Sequence, residues 1–462
     1  MSTVLKHIDL KSVIDSAEKL IHAPFRKLYI ETYGCQMNVA DSEIIAGVLT
    51  SNDFELTKQI ESADLILLNT CSIRKNAEDK VFKRLQSLKK YKQANKNLLI
   101  GVVGCMAEHS QTELLENKIV DLIAGPDNYI ALPKLIQNEY TNGKAVSTEL
   151  SLIETYDNII PIHSQNSISA FVPIMRGCNN FCSYCVVPYT RGKERSRDHQ
   201  NIIEEVDSLI EKGFKEVTLL GQNVNSYNFS AENNQYNFAG LLGNIAKRNP
   251  DLRVRFATSH PKDLSDEIVK VIAKHKNICN HIHLPFQSGS NRILSLMNRK
   301  YTREWYFDRI KMIRELIPDI SITTDIIAGY CSETEEDHEL TIDLMNQVRF
   351  DLAYMFFYSE RNGTFAAQNL KDDVPLAVKK RRLSEIIELQ NKHSLISNQN
   401  NIDKTFEVLI EGKSKKSDEQ LKGRTSQNKM VVFPSKDHKI GEYVLVDIKE
   451  CTSATLIGKI VT

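Results

Sequence analysis

Apolar runs bounded by turn residues alternate with helical patterns through the first part of the chain. KLYIETYG (27–34), DLILLNT (64–70), NLLIGVVG (97–104) and KIVDLIAG (118–125) are near-continuous apolar stretches. Such runs predict strands buried on both faces of a parallel sheet. Between them, ADSEIIAGVLTSN and KNAEDKVFKRLQSLKKY place apolar residues at helical spacing, and YIALPKLIQNEY follows the last run. This βαβα order predicts an α/β domain over 25–143, preceded by an N-terminal extension over 1–24. The polar stretch near 140–168, with TNGKAVSTE and HSQNSIS at its ends, predicts a linker over 144–167.

A second, longer βα series follows. Its strand candidates are AFVPIM (170–175), EVTLLG (216–221), RVRFAT (253–258), HIHLPF (281–286), SITTDIIAG (321–329) and LAYMFFY (352–358). Helical segments such as NIIEEVDSLIEKG separate them, so 168–399 is expected to form a partial (β/α)6 barrel. From 400 to 462 the period changes to short β runs, TFEVLIEGK, KMVVFP, EYVLVDIKE and TLIGKIV, which predict a small all-β barrel.

Composition narrows the function classes. The 462 residues hold 59 Lys plus Arg against 59 Asp plus Glu, so any nucleic-acid site must be a local patch. With 41% hydrophobic and 26% charged residues the chain is not mostly disordered. No apolar run approaches the roughly 18 residues of a membrane span, and the acid-bearing N-terminus does not look like a signal peptide. Nine cysteines are too few for a disulfide scaffold and odd in number, which favours a reducing, cytoplasmic setting without a membrane. They should then be ligands, nucleophiles or buried small side chains.

Two cysteine groups carry the chemistry. In RGCNNFCSYC, Cys178, Cys182 and Cys185 form C-x3-C-x2-C directly after the first barrel strand. Three thiolates on one loop can hold three corners of an iron–sulfur cube and leave one iron open. Gly177 permits the tight turn before the first cysteine. The alternative is a zinc knuckle completed by a distant ligand such as His199. Cys35, Cys71 and Cys105 lie 36 and 34 residues apart and each closes a strand candidate. Parallel strands bring their C-terminal ends to one sheet edge, so these three can converge. Helices starting after them would favour thiolates. The alternative is three unrelated buried cysteines. Cys279, Cys331 and Cys451 are read as unliganded.

A C-x3-C-x2-C loop on the first strand of a (β/α)6 barrel resembles the radical S-adenosylmethionine (AdoMet) enzymes. Both cysteine groups together, in this order and before a C-terminal β domain, resemble the methylthiotransferase family with its TRAM domain. Within it the motifs are similar to the MiaB-type tRNA branch. They are TYGCQMN (32–38) with DSE (41–43), NTCSIRKNAEDKVF (69–82), GCMAE (104–108), RGCNNFCSYCVVPYTRGKERSR (176–197) and LLGQNVNSY (219–227). Relatives that modify a ribosomal protein usually have Pro-Lys after the first cysteine, where this chain has Gln36 and Met37. The threonylcarbamoyladenosine branch also differs in that first motif. The family's usual Gly-Phe-Pro-Gly-Glu is replaced by Gly329-Tyr330-Cys331-Ser332-Glu333, and its Arg-Pro-Gly-Thr-Pro by RNGTFAA (361–367).

The resemblance implies methylthiolation of C2 of N6-isopentenyladenosine beside a tRNA anticodon. One AdoMet would be the methyl donor and one the radical source. Two 4Fe–4S clusters would be needed: an auxiliary, sulfur-carrying cluster on Cys35, Cys71 and Cys105, and an AdoMet-binding cluster on Cys178, Cys182 and Cys185. AdoMet contacts are expected from Tyr184, which could cover its adenine, and from Gln222, Asn223, Ser259, Gln287, Ser288 and Asp325, although each could instead cap a helix or satisfy a buried amide. An electron donor such as a flavodoxin and a sulfur source are implied, and a monomer is expected. A non-catalytic, zinc-stabilised RNA-binding protein is the reading from another class.

The tRNA anticodon stem-loop calls for basic surface. Candidates are Arg176, Arg191, Lys193, Arg195 and Arg197 near the cluster loop, the run Lys379 to Arg382, and Lys413, Lys415, Lys416, Lys422, Arg424 and Lys429 in the β domain. Such runs are more commonly solvated faces. The lone Trp305 reads as packing. An isopentenyl tail calls for apolar groups near the barrel mouth, for which Tyr189, Phe286 and Phe357 are the candidates.

Overall fold

The computed structural model describes residues 26–72, 75–142, 144–164, 167–231, 234–435 and 437–461. The predicted N-terminal extension lies outside these residues. Six parallel strands make the first sheet: β1 (Arg26–Tyr33), β2 (Phe54–Leu56), β3 (Leu65–Thr70), β4 (Leu99–Gly104), β5 (Leu122–Ala124) and β6 (Ala145–Ser147). Their order is β2-β1-β3-β4-β5-β6. Every residue of β3 and β4 is buried, as their unbroken apolar sequences require. The stretch expected to be linker contributes β6, which pairs with β5 from Leu122↔Ala145 to Ala124↔Ser147. Three residues of an edge strand give too short a pattern to be read against a polar background.

The central domain carries β7 (Ser169–Pro173), the short pair β8 (Met175–Arg176) and β9 (Arg195–Ser196), β10 (Glu216–Leu220), the hairpin β11 (Asn228–Ala231) and β12 (Asn234–Asn237), β13 (Arg253–Ala257), β14 (His281–His283), β15 (Ser321–Ala328) and β16 (Leu352–Phe357). Parallel sheets β13-β10-β7 and β14-β15-β16 are joined through the Val254↔Ile278 bridge. Together they form an open six-stranded barrel. Residues from these strands and their outer helices make one large apolar core. Phe286 is wholly buried there, stacked on Phe350 with ring centroids 5.3 Å apart, so it is core and does not face a substrate. Trp305 also packs against this core.

The last domain is a closed barrel of β17 (Thr405–Lys413), β18 (Gln420–Arg424), β19 (Met430–Pro434), β20 (Tyr443–Cys451) and β21 (Leu456–Ile460). The sequence pattern misses β18 because QLKGR points only one apolar side chain, Leu421, into the core. This domain docks on the N-terminal ends of the central strands. Arg253 donates to the Arg424 carbonyl at 2.6 Å, Arg255 to the Thr425 carbonyl at 2.9 Å, and the Tyr443 hydroxyl to the Lys215 carbonyl at 3.1 Å. The C-terminal ends are left for chemistry.

Candidate active site

Cys35 caps the helix Gln36–Thr50, Cys71 follows β3 and Cys105 follows β4. Their convergence depends on close backbone approach. Gly104 sits at φ 91°, and a Cβ there would lie 2.7 Å from the Thr70 carbonyl oxygen. Asn38 links the strand ends by donating to Asn69 Oδ1 at 3.1 Å and to the Thr70 carbonyl at 3.0 Å. The second trio lies on the loop after β8. Gly177 adopts φ 77°, and an added Cβ would meet the Lys193 carbonyl at 1.9 Å, so only glycine fits.

All six cysteines line one cavity of about 310 Å³ between the first two domains. Of the expected AdoMet contacts, Tyr184, Gln222, Ser259, Gln287 and Asp325 line it too. Asn223 and Ser288 are buried but do not. Asn223 donates to Asp263 at 2.6 Å and accepts the His260 amide at 3.0 Å, so it shapes a loop. Ser288 Oγ accepts the Ser290 amide at 3.2 Å. Gln222 spends its side-chain oxygen on the Gly177 amide at 2.6 Å, which fixes the turn before Cys178. Cys331 lies in the buried cluster that Tyr184 packs against, together with Tyr330 and Tyr358.

The cavity matches anionic groups with three thiolate ligands. Arg191 Nε donates to Cys105 Sγ at 3.1 Å, and Arg299 Nη1 to Cys182 Sγ at 3.3 Å, one guanidinium for each trio. A hydrogen bond from Cys71, with help from the Arg191 charge, draws the Cys35 thiol down to about 6. Burial pushes Cys178 up to about 11 and Cys185 up to about 12. Four buried polar atoms on the wall have no protein partner: Ser72 Oγ, Arg191 Nη1, His260 Nε2 and Gln287 Oε1. His260 Nδ1 accepts the Lys262 amide at 3.3 Å, so Nε2 carries the proton and is a donor toward the cavity. Burial, reinforced by the Arg299 charge, pushes His260 down to about 2 and keeps it neutral.

These features fit clusters. Among the described residues only Glu335, His338 and Glu385 bring three such ligand atoms within 4.8 Å of one another. One tetrahedral zinc, with Zn–S about 2.3 Å, needs sulfurs about 3.8 Å apart. Neither trio is drawn in that tightly. The Glu335 group is held in ion pairs with Arg381 and Arg382. His199, the candidate fourth zinc ligand, stacks on Tyr236 at 4.3 Å.

The basic residues beside the second trio have a different role from the one their charge suggests. Arg176 and Arg191 both bind the fully buried Asp41, at 2.6 and 2.7 Å. Arg195 pairs with Asp127, and Arg197 with Asp157 and Glu205. All four arginines are buried and do not meet phosphates, and Arg176, Arg191 and Arg195 join the barrel to the first domain. Only Lys193 of that set is exposed. In the run 379–382, Lys379 and Arg382 are buried against Asp372 and Glu333, and Lys429 is taken by Asp351. A sequence shows charge but not whether a carboxylate waits opposite. The same blindness hid Arg191, Arg299 and His260 as cavity residues.

The fold and the six-cysteine cavity define a radical AdoMet enzyme with an α/β domain before the barrel and a small β-barrel after it. The comparisons agree. Residues 27–125 match the uncharacterized protein family UPF0004, 172–345 the radical SAM superfamily and 400–461 the TRAM domain. The chain is 56% identical over 455 residues, 98% of each chain, to a tRNA-2-methylthio-N(6)-dimethylallyladenosine synthase of Phocaeicola vulgatus. It is 55% identical over 436 residues to the enzyme of that name from Bacteroides thetaiotaomicron, covering 94% of this chain and 96% of the relative. The chain belongs to the family of the tRNA-2-methylthio-N(6)-dimethylallyladenosine synthases. Among solved structures, the cobalamin- and [4Fe-4S]-bound radical AdoMet methyltransferase TsrM from Kitasatospora setae aligns with TM-score 0.56 at 14% identity, over 74% of this chain and 77% of that one. At that identity the likeness concerns the fold alone. Radical SAM membership implies a 4Fe–4S cluster and AdoMet. No helix among the described residues is long and apolar enough to cross a membrane.

Proposed function

We propose that this chain methylthiolates C2 of N6-isopentenyladenosine beside a tRNA anticodon, using one AdoMet as methyl donor and another as radical source. The observation that carries the reading is the single cavity onto which cysteine trios from two domains open. Cys178, Cys182 and Cys185 would hold the AdoMet-binding cluster, and Cys35, Cys71 and Cys105 an auxiliary, sulfur-carrying one. Bound there, the first supplies an electron for AdoMet cleavage and the second supplies sulfur. The protein's own part is to bind, orient and exclude water. Tyr184 and Asp325 face the AdoMet side of the cavity. His260 offers a neutral N–H to an acceptor on AdoMet or on the base. Arg191, buried on the cavity wall, helps to keep water from it. A flavodoxin-type electron donor, a monomeric state and a cytoplasmic location complete the proposal.

The prenyl group of the substrate has a candidate wall. Ala353 belongs to the apolar core and Met355 packs against it, so Phe357 shares that core-facing side of β16. Leu352, Tyr354 and Phe356 share the other side and are exposed. Tyr354 pairs in register with the cavity residue Asp325, and its ring lies 5.7 Å from that of His283. Tyr189 is exposed beside the cavity residue Thr190, edge to face with Phe181. At about 0.8 kcal/mol per buried carbon group, burying roughly half of a five-carbon tail contributes about 2 kcal/mol. A tRNA lacking the isopentenyl group should therefore react about thirtyfold more slowly in single turnover. Equal rates would refute prenyl recognition.

For RNA affinity the exposed candidates of the β domain are Lys413, Lys415 and Lys416, at the end of β17 and the loop after it. At about 0.7 per phosphate contact, replacing all three by Ala should make the slope of log K against log salt shallower by about 2. AdoMet cleavage without tRNA should not change. An unaltered slope in the triple variant would remove these lysines from the interface.

A further inference from the structure

Arg191 belongs to the barrel, on the short helix Val187–Arg191 after the second trio, yet it reaches the first. Its Nε donates to Cys105 Sγ at 3.1 Å and its Nη2 to Asp41 at 2.7 Å. Its Nη1 is buried and unpartnered on the cavity wall. Asp41 is also held by Arg176 at 2.6 Å and by the Tyr129 hydroxyl at 3.3 Å, so the carboxylate would remain paired without Arg191. Two guanidinium charges against one carboxylate leave a net positive charge beside the first trio. Hydrogen bonds to cluster sulfurs and nearby charge set the reduction potential of an iron–sulfur centre. A cation in a low-dielectric wall acts strongly.

We propose that Arg191 is a cross-domain positioning residue for the auxiliary centre. It orients Cys105, turns Nη1 toward the centre's sulfur face, raises its reduction potential, and ties it to the loop that carries the other trio. The proposal rests on the two-cluster reading above, and it assigns Arg191 to the first cluster although Arg191 is only six residues from Cys185 in sequence.

The test is potentiometric titration of the reconstituted full chain, followed by electron paramagnetic resonance. The two centres are told apart by which signal AdoMet perturbs. Arg191→Met should shift the AdoMet-insensitive centre to more negative potential and leave the AdoMet-sensitive one in place. Arg191→Lys, which keeps the charge but loses the fork, should recover part of that shift. Asp41→Asn, which removes a negative charge from the same interface, should shift the same centre the opposite way. Damage to the interface would move the Arg191 and Asp41 variants in one direction, and that result, or no shift in Arg191→Met, overturns the proposal. Unaltered iron content in Arg191→Lys and Asp41→Asn shows that the fold survives. Wild-type protein that holds only about four irons overturns the two-cluster reading itself, and the Arg191 assignment with it.

Discussion

Replacing Cys178, Cys182 and Cys185 together by Ala will abolish reductive cleavage of AdoMet, a loss of more than about a thousandfold. The iron bound by the other trio will remain. The reason is positional. Gly177, held by Gln222, sets the turn that brings this loop onto the cavity that Tyr184 and Asp325 also line, and Arg299 donates to its sulfur at Cys182. None of these contacts belongs to the first domain. A 5′-deoxyadenosine assay with iron analysis checks the result, and residual cleavage in the triple variant would contradict it.

The opposite triple variant should separate the two activities. Replacing Cys35, Cys71 and Cys105 by Ala should remove about four irons and all methylthiolated product while AdoMet cleavage persists. The first sheet keeps its own apolar core on each face, so it should fold without a ligand at its edge. The Asp41 ion pairs that fasten it to the barrel are also untouched. Loss of AdoMet cleavage in a well-folded variant would mean that the trios do not act as independent sites.

Much of this arrangement was legible because its causes are local. The buried runs of β3 and β4, the βα alternation and the placing of Cys35, Cys71 and Cys105 at strand ends follow from residue type and period alone. Two strands with weak apolar patterns escaped for physical reasons. In β6 there are only three residues, and in β18 a single buried leucine carries the pattern. The role of the arginines is not legible in the sequence because pairing is a tertiary property. Arg176 and Arg191 meet Asp41 across 135 and 150 residues of sequence. Buried, hydrogen-bonded ion pairs of this kind resist loss of one partner by about 3–5 kcal/mol, which accords with a role in docking domains. Phe286 shows the same limit on the apolar side. Nothing in HIHLPF distinguishes a core ring from a cavity ring, and stacking on Phe350 decides it.

The TRAM domain sits at the barrel end away from the cysteine cavity, fixed by Arg253, Arg255 and Tyr443. An anticodon stem-loop touching Lys413, Lys415 and Lys416 must therefore pass along the barrel flank to present one base. That base has to leave its stack, at a cost of a few kcal/mol. Apolar contacts at Leu352, Tyr354 and Phe356 would offset part of this cost.

The reaction takes place at one base, and nucleoside mass spectrometry reads that base. The anaerobically reconstituted chain is given AdoMet, a reductant and one tRNA in two forms, bearing isopentenyladenosine or threonylcarbamoyladenosine beside the anticodon. The first form should yield 2-methylthio-N6-isopentenyladenosine and the second no methylthiolated nucleoside. Product confined to the threonylcarbamoyl form, or none in either from protein holding about eight irons, would contradict the proposed reaction.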